Sequence, residues 1–150
     1  SIMNSEEHIT LSLTFKDTAS PIEFYSKAFG ASELFRIASP DGGIAHAEMM
    51  FGGTKVMMSD EDSEYHAFAM PEGSTASCVF SISTENVDER YEAALAAGAE
   101  GLLAPKDMFY GMRVAVVKDP FGYRWSFDKL IEKLTPDEIM ERAAKFHSPA

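Results

Sequence analysis

His8-Ile9-Thr10-Leu11-Ser12-Leu13-Thr14-Phe15 alternates apolar residues with histidine and hydroxyl side chains in strict period two, the pattern of a strand with one buried and one wet face. Just downstream, Ser20-Pro21-Ile22-Glu23 offers a hydroxyl at the N-cap, proline at the first helical position and glutamate at the third, so a capping box is predicted. The helix that follows is expected to run to about Phe29. Ile22, Tyr25 and Phe29 form its buried stripe, and Gly30 supplies a left-handed stop. Strands are then predicted at Glu33 to Ala38, Ile44 to Phe51 and Thr54 to Ser59, separated by the turns Pro40-Asp41-Gly42-Gly43 and Gly52-Gly53.

The same order returns about 66 residues later. Ser77 to Ser83 alternates, Asn86-Val87-Asp88-Glu89 can open a helix striped by Val87, Tyr91 and Leu95, and Gly98 can stop it. A short strand at Gly101 to Leu103, a loop through Tyr110 and Gly111, and strands at Met112 to Lys118 and Tyr123 to Asp128 complete the copy. Such an internal repeat is a fold-level signal. Two modules are therefore expected, at about residues 8–59 and 77–128, joined by a linker at 60–76 with five acids and no base. Thr135-Pro136-Asp137-Glu138 predicts a capped C-terminal helix at about 135–146, with Ile139, Ala143 and Phe146 on one face.

Composition narrows the partners. The 150-residue chain carries a formal charge of −11, which argues against nucleic acid and anionic membrane because both are polyanions. Small molecules and proteins remain. A single cysteine, Cys78, excludes a disulfide framework and suits a reducing, cytoplasmic setting, where it is expected to be a small buried hydrophobe. No apolar run approaches the ~20 residues that cross a bilayer, and Ser1-Ile2-Met3-Asn4 lacks the basic region and apolar core of a secretion signal.

Several phrases carry a family likeness: Ile22-Glu23-Phe24-Tyr25 with Ala28-Phe29-Gly30-Ala31, His46-Ala47-Glu48, Met57-Met58-Ser59-Asp60, Ala96-Ala97-Gly98-Ala99-Glu100, Leu134-Thr135-Pro136-Asp137-Glu138 and, most specific, Asp119-Pro120-Phe121-Gly122-Tyr123-Arg124-Trp125-Ser126. The chain resembles the PhnB-like branch of the vicinal oxygen chelate superfamily, which includes glyoxalase I, extradiol dioxygenases, fosfomycin resistance proteins and bleomycin-binding proteins. The resemblance implies an α+β fold of two βαβββ modules, a cupped mixed sheet with helices outside, plus the C-terminal helix. It also implies a homodimer and, in the enzymes, one divalent metal held by four positions on the first and last strands of each module.

Carried onto this chain, those four positions fall at Thr10, Met57, Val79 and Ser126. None is a usual donor for a hard or borderline divalent cation. The expectation is therefore a cup without the usual ligands and without a cofactor, binding a small molecule through Thr10, Ser12, Met57, Val79, Ser81, Tyr110, Arg124 and Ser126. The alternative is a metal-dependent lyase, isomerase or dioxygenase whose divalent metal sits in a remodelled site of His8, His46 and Glu48, although His46 and Glu48 also read as a polar pair on a wet strand face. Arg124 could fork onto a carboxylate or phosphonate, or pair with Asp128 or Asp119. Trp125 reads as core, His66 and His147 as solvated, and Met57 as a deformable lining residue.

Overall fold

The computed structural model describes residues 1–148 and falls into two compact units, Ser1–Glu72 and the remainder from Gly73. In the first unit, β1 (Leu11–Phe15), α1 (Ala19–Phe29), β2 (Ser32–Ala38), β3 (Ile44–Phe51) and β4 (Thr54–Asp60) build a sheet of order β1-β4-β3-β2. β1 runs parallel to β4, and the other neighbours are antiparallel. One face buries Leu13, Phe15, Ala47, Met49, Val56 and Met58 with the α1 residues Ile22, Tyr25 and Ala28. The 3.6-residue and two-residue periods meet there, as a helix on a sheet requires. Tyr25 is fully buried and packs its ring against Phe24, Phe29 and Phe51 at 5.4–5.7 Å between centroids.

The second unit repeats this with β5 (Val79–Ser83), α2 (Val87–Ala97), β6 (Glu100–Asp107), β7 (Met112–Lys118) and β8 (Arg124–Leu130), in the order β5-β8-β7-β6, followed by α3 (Pro136–Phe146). Its core joins Val87, Tyr91 and Ala94 of α2 to Ala115, Val117, Trp125 and Phe127. Trp125, 3% exposed, is core as expected, and its indole N–H donates to the Asp119 carboxylate at 2.9 Å. The other Asp119 oxygen accepts from the backbone N–H groups of Phe121 and Tyr123. The Asp-Pro-Phe-Gly turn is thus bound to the tryptophan three residues past it.

Several boundaries depart from expectation. β1 begins at Leu11 rather than His8, its pairing with β4 starting at Leu11 against Val56; Thr10 is exposed ahead of the strand and Ile9 is 83% exposed. α1 starts two residues early, with Thr18 rather than Ser20 at its N-cap. Asp60 accepts from the Thr18 N–H and hydroxyl at 3.0 and 2.7 Å, while Ser20 donates to Asp17, so the predicted capping box does not form. Asp60 accordingly belongs to β4 and not to the linker, where a 3-10 turn at Ser63–Tyr65 is capped by Asp62. Asn86 caps α2 by position but not by a side-chain bond. β6 is far longer than Gly101 to Leu103: it lies at the sheet edge, and a register shift between Leu103 and Lys106 accommodates Pro105, which lacks a ladder N–H. Cys78 is exposed, since it precedes β5 and no strand parity governs it.

α3 forms with the predicted capping box, Thr135 and Glu138 bonding reciprocally. Its apolar face is only partly covered: Ile139 and Ala143 are half-buried and Phe146 is 61% exposed. His147 is not free of local contacts, its ring standing 5.2 Å from Phe146 and 6.4 Å from Phe109.

Candidate functional site

Each sheet has one face under its helix and one face without a helix, and the parity of the strands assigns the polar residues. In the second unit, the helix side takes Phe80, Ile82, Ala115, Val117, Trp125 and Phe127. Cross-strand pairing therefore puts Val79, Ser81, Val114, Val116, Lys118, Arg124, Ser126 and Asp128 on the opposite face. Ser126 is 6% exposed, 2.8 Å from the Ser81 hydroxyl and 3.0 Å from an Asp128 oxygen. A hydroxyl has one proton, so Ser126 donates to the carboxylate and accepts from Ser81. That chain keeps a buried hydroxyl satisfied without any outside partner.

Arg124 lies one strand repeat away, beside Val79 on β5. It is half-buried and engaged by no hydrogen bond or ion pair among the described residues. The pairing with Asp119 or Asp128 weighed from the sequence does not form. Asp119 is committed to its turn and to Trp125, and Asp128 sits four residues along the strand, about 13 Å off at ~3.3 Å per residue.

In the first unit the corresponding face carries Ser12, Met57, Glu48, His46 and Lys55; Met57 lies between Ser12 on β1 and Glu48 on β3. The His46 Nε2 and Glu48 Oε2 are 2.8 Å apart, and the Lys55 Nζ reaches the other Glu48 oxygen at 3.2 Å. The hydrogen bond with His46, and then that with Lys55, hold the Glu48 carboxyl below the usual carboxylate range. Phe35 lies alongside, 5.8 Å from the imidazole centroid.

Two predicted members stand apart. Thr10 precedes β1. Tyr110 lies in the loop between β6 and β7, stacked edge-on against Phe109 at 5.3 Å. The β7–β8 hairpin places Met112 and Leu130 at that end and Lys118 and Arg124 at the other, about 20 Å apart over six strand steps. Tyr110 and Arg124 therefore cannot share one small ligand. Sequence reading missed Lys118 and Lys55. Counting outward from the Asp119 to Tyr123 turn would have placed Lys118 directly opposite Arg124, as the register shows.

The residues do not fit a divalent metal. Strand register sets Ser12 beside Met57 and Ser81 beside Ser126, in place of the expected Thr10 and Val79, so these positions offer three hydroxyls and a thioether rather than carboxylate or imidazole. Of the remodelled set, His46 and Glu48 are 2.8 Å apart with Lys55 on the other Glu48 oxygen, while His8 is exposed, its Nδ1 3.3 Å from the Glu6 carbonyl. Among the described residues, no three His, Cys, Asp or Glu side chains stand close enough to hold one ion.

Duplicated strand-helix-strand-strand-strand units with a polar, helix-free sheet face define a class of α+β proteins. This chain belongs to the Glyoxalase/Bleomycin resistance protein/Dioxygenase superfamily, whose family model matches residues 7–127. It is 36% identical over 140 residues to the uncharacterized protein Mb0911c of Mycobacterium bovis, covering 91% of this chain and 92% of that one. The crystal structure of TioX from Micromonospora sp. ML1 is similar at 25% identity and a TM-score of 0.66, over 83% of this chain and 98% of the other. A glyoxalase/bleomycin resistance protein/dioxygenase from Nocardioides shares the fold at 22% identity and a TM-score of 0.69, over 90% and 91%.

Proposed function

We propose that this chain is a small-molecule-binding member of the superfamily, of the PhnB-like branch, that holds its ligand on the helix-free face of β5–β8 without a resident metal. The observation that carries this reading is the unpaired Arg124 beside the Ser81–Ser126–Asp128 chain. A forked cationic donor, a hydroxyl pair and a carboxylate on one face of the adjacent strands β5 and β8 can orient a polar ligand, with Val79 and Val116 as apolar walls. On the first unit, Ser12, Met57 and the Glu48 pair supply a second polar surface of the same kind. The chain works in the cytoplasm as a homodimer, and light scattering that gives a monomer mass would remove the dimer from this reading.

The test is to recover what the protein retains. Native mass spectrometry of the purified chain is expected to show a bound small molecule that Ser126→Leu loses, while elemental analysis finds no stoichiometric zinc, nickel, manganese or iron. Stoichiometric metal lost from both His46→Ala and Glu48→Ala overturns it in favour of a metal-dependent lyase, isomerase or dioxygenase.

A further inference from the structure

Lys118 and Arg124 face each other directly across the β7–β8 ladder. Paired residues of an antiparallel ladder project to one face, with Cβ atoms ~4.5–5.5 Å apart, and like charges placed so are destabilising. Arg113, Lys118, Arg124, Lys129 and Arg142 are the half-buried cations among the described residues. Three of them are neutralised: Arg113 by Asp88 and Asp107, Lys129 by Glu85, and Arg142 by Glu132. The Lys118 and Arg124 side chains make no hydrogen bond or ion pair among the described residues. Glu100 lies opposite Lys118 on β6, exposed, yet no ion pair joins them.

The fold does not impose this. In the first unit, Lys55 occupies the place of Arg124 at the start of the last strand. It faces the neutral Met50, and Glu48, one strand repeat along β3, neutralises it. The equivalent residues in the second unit are Lys118 and Val116. There a cation has been placed opposite the cation, and an alkyl side chain stands where the acid was. Two half-buried positive charges, with the exposed Glu100 across from Lys118 bonded to neither among the described residues, are open to an anion from outside.

We propose that Lys118 and Arg124 form a clamp for an oxyanion head group, the carboxylate or phosphoryl end of the ligand. This rests on the binding-face reading above and names its ligand class. The Arg124 guanidinium presents two parallel N–H donors to two oxygens, and the Lys118 ammonium supplies a point charge to a third or bridges them. The Ser81 and Ser126 hydroxyls lie one strand repeat further, ~7 Å on, positioned for a neutral polar group of the same molecule. Asp128, one repeat beyond, favours a donor or cation at the far end.

Inorganic phosphate is the probe, titrated at constant ionic strength and followed by NMR at the Arg124 Nε–H. Saturable binding is expected. Arg124→Gln and Lys118→Gln should each weaken it about tenfold, the value of one charge-assisted hydrogen bond, and Lys106→Gln, at an exposed cation, should leave it unchanged. Circular dichroism verifies that each variant is folded. Binding that does not saturate, or that survives both substitutions, overturns the clamp. If the clamp fails while Ser126→Leu still releases a retained molecule, the ligand is neutral at this end and the binding-face reading stands. If phosphate binds through the pair but nothing is retained, the clamp stands and that reading falls.

Discussion

The two units use one topology to opposite electrostatic ends. On the helix-free face of the first sheet, Glu48 is hydrogen-bonded to His46 and paired with Lys55. On the second, the equivalent positions leave Lys118 and Arg124 side by side with valine nearby. The difference also runs through the helix starts. Asp60, at the end of β4, accepts from Thr18 and from the Ile44 N–H at 3.0 Å, tying the start of α1 and the start of β3 together. The start of α2 is tied by exposed ion pairs, Arg113 to Asp88 and Lys129 to Glu85. Part-buried hydrogen bonds to a carboxylate hold where salt would screen an exposed pair, so the start of α1 is tied less salt-sensitively than the start of α2.

The comparison can be broken most forcefully at its shared feature, the core under each helix. Tyr25→Ala removes a fully buried ring contacting three others and should cost about 3–5 kcal/mol, read from the denaturant midpoint. A loss below 1 kcal/mol would mean that the aromatic cluster does not hold α1 to its sheet.

Asp60→Ala should cost about 2–3 kcal/mol, because two backbone N–H groups and a hydroxyl lose a charged acceptor. Burial acts to raise the Asp60 carboxyl, but the bonds from Thr18 and Ile44 outweigh it, and the net direction is down. A carboxyl lowered by folding stabilises the protein above its unfolded value, about 4, and that stability is lost as pH falls through the folded value. The melting temperature of the wild type should therefore drop on acidification below about pH 4 more steeply than that of Asp60→Ala. Equal slopes would remove Asp60 from the acid transition.

Arg113→Gln should lower the melting temperature only slightly, and 0.5 M salt should erase the difference, since its partners Asp88 and Asp107 are exposed. The same salt should leave the effect of Asp60→Ala largely in place. Smallest in stability and sharpest in meaning is Val116→Glu, which gives Arg124 the acid that Lys55 enjoys. It should leave the unfolding free energy within about 1 kcal/mol of wild type and abolish saturable phosphate binding. Unchanged binding in this variant would show that the missing acid is not what leaves the clamp open.

Much of this was legible in the chain. Alternation in β3 and β4, the helical stripe of Ile22, Tyr25 and Phe29, and the Thr135 capping box are local signals, written within one or two turns of the residues they govern. The errors share a cause. Thr18 displaced Ser20 as N-cap because Asp60, 42 residues away, reached it. β1 lost its first three expected residues because pattern without a partner does not make a strand. Pro105 did not end β6 because an edge strand needs fewer N–H donors.

The candidate site divides the same way. Strand parity by itself placed Ser12, Met57, Ser81, Arg124 and Ser126 on helix-free faces, since a two-residue period leaves only two choices. It could not place Tyr110 at the far end of the β7–β8 hairpin from Arg124, detach His8 from His46, or show that Arg124 goes without an acid. Those depend on register, on which strands are neighbours, and on which carboxylates other groups have already taken. The sequence by itself determined the repeat, the helices and the residue types available for binding. Only the tertiary structure decided which charges cancel and which remain, because Coulombic pairing acts between side chains distant in sequence, through a distance that the chain order does not contain.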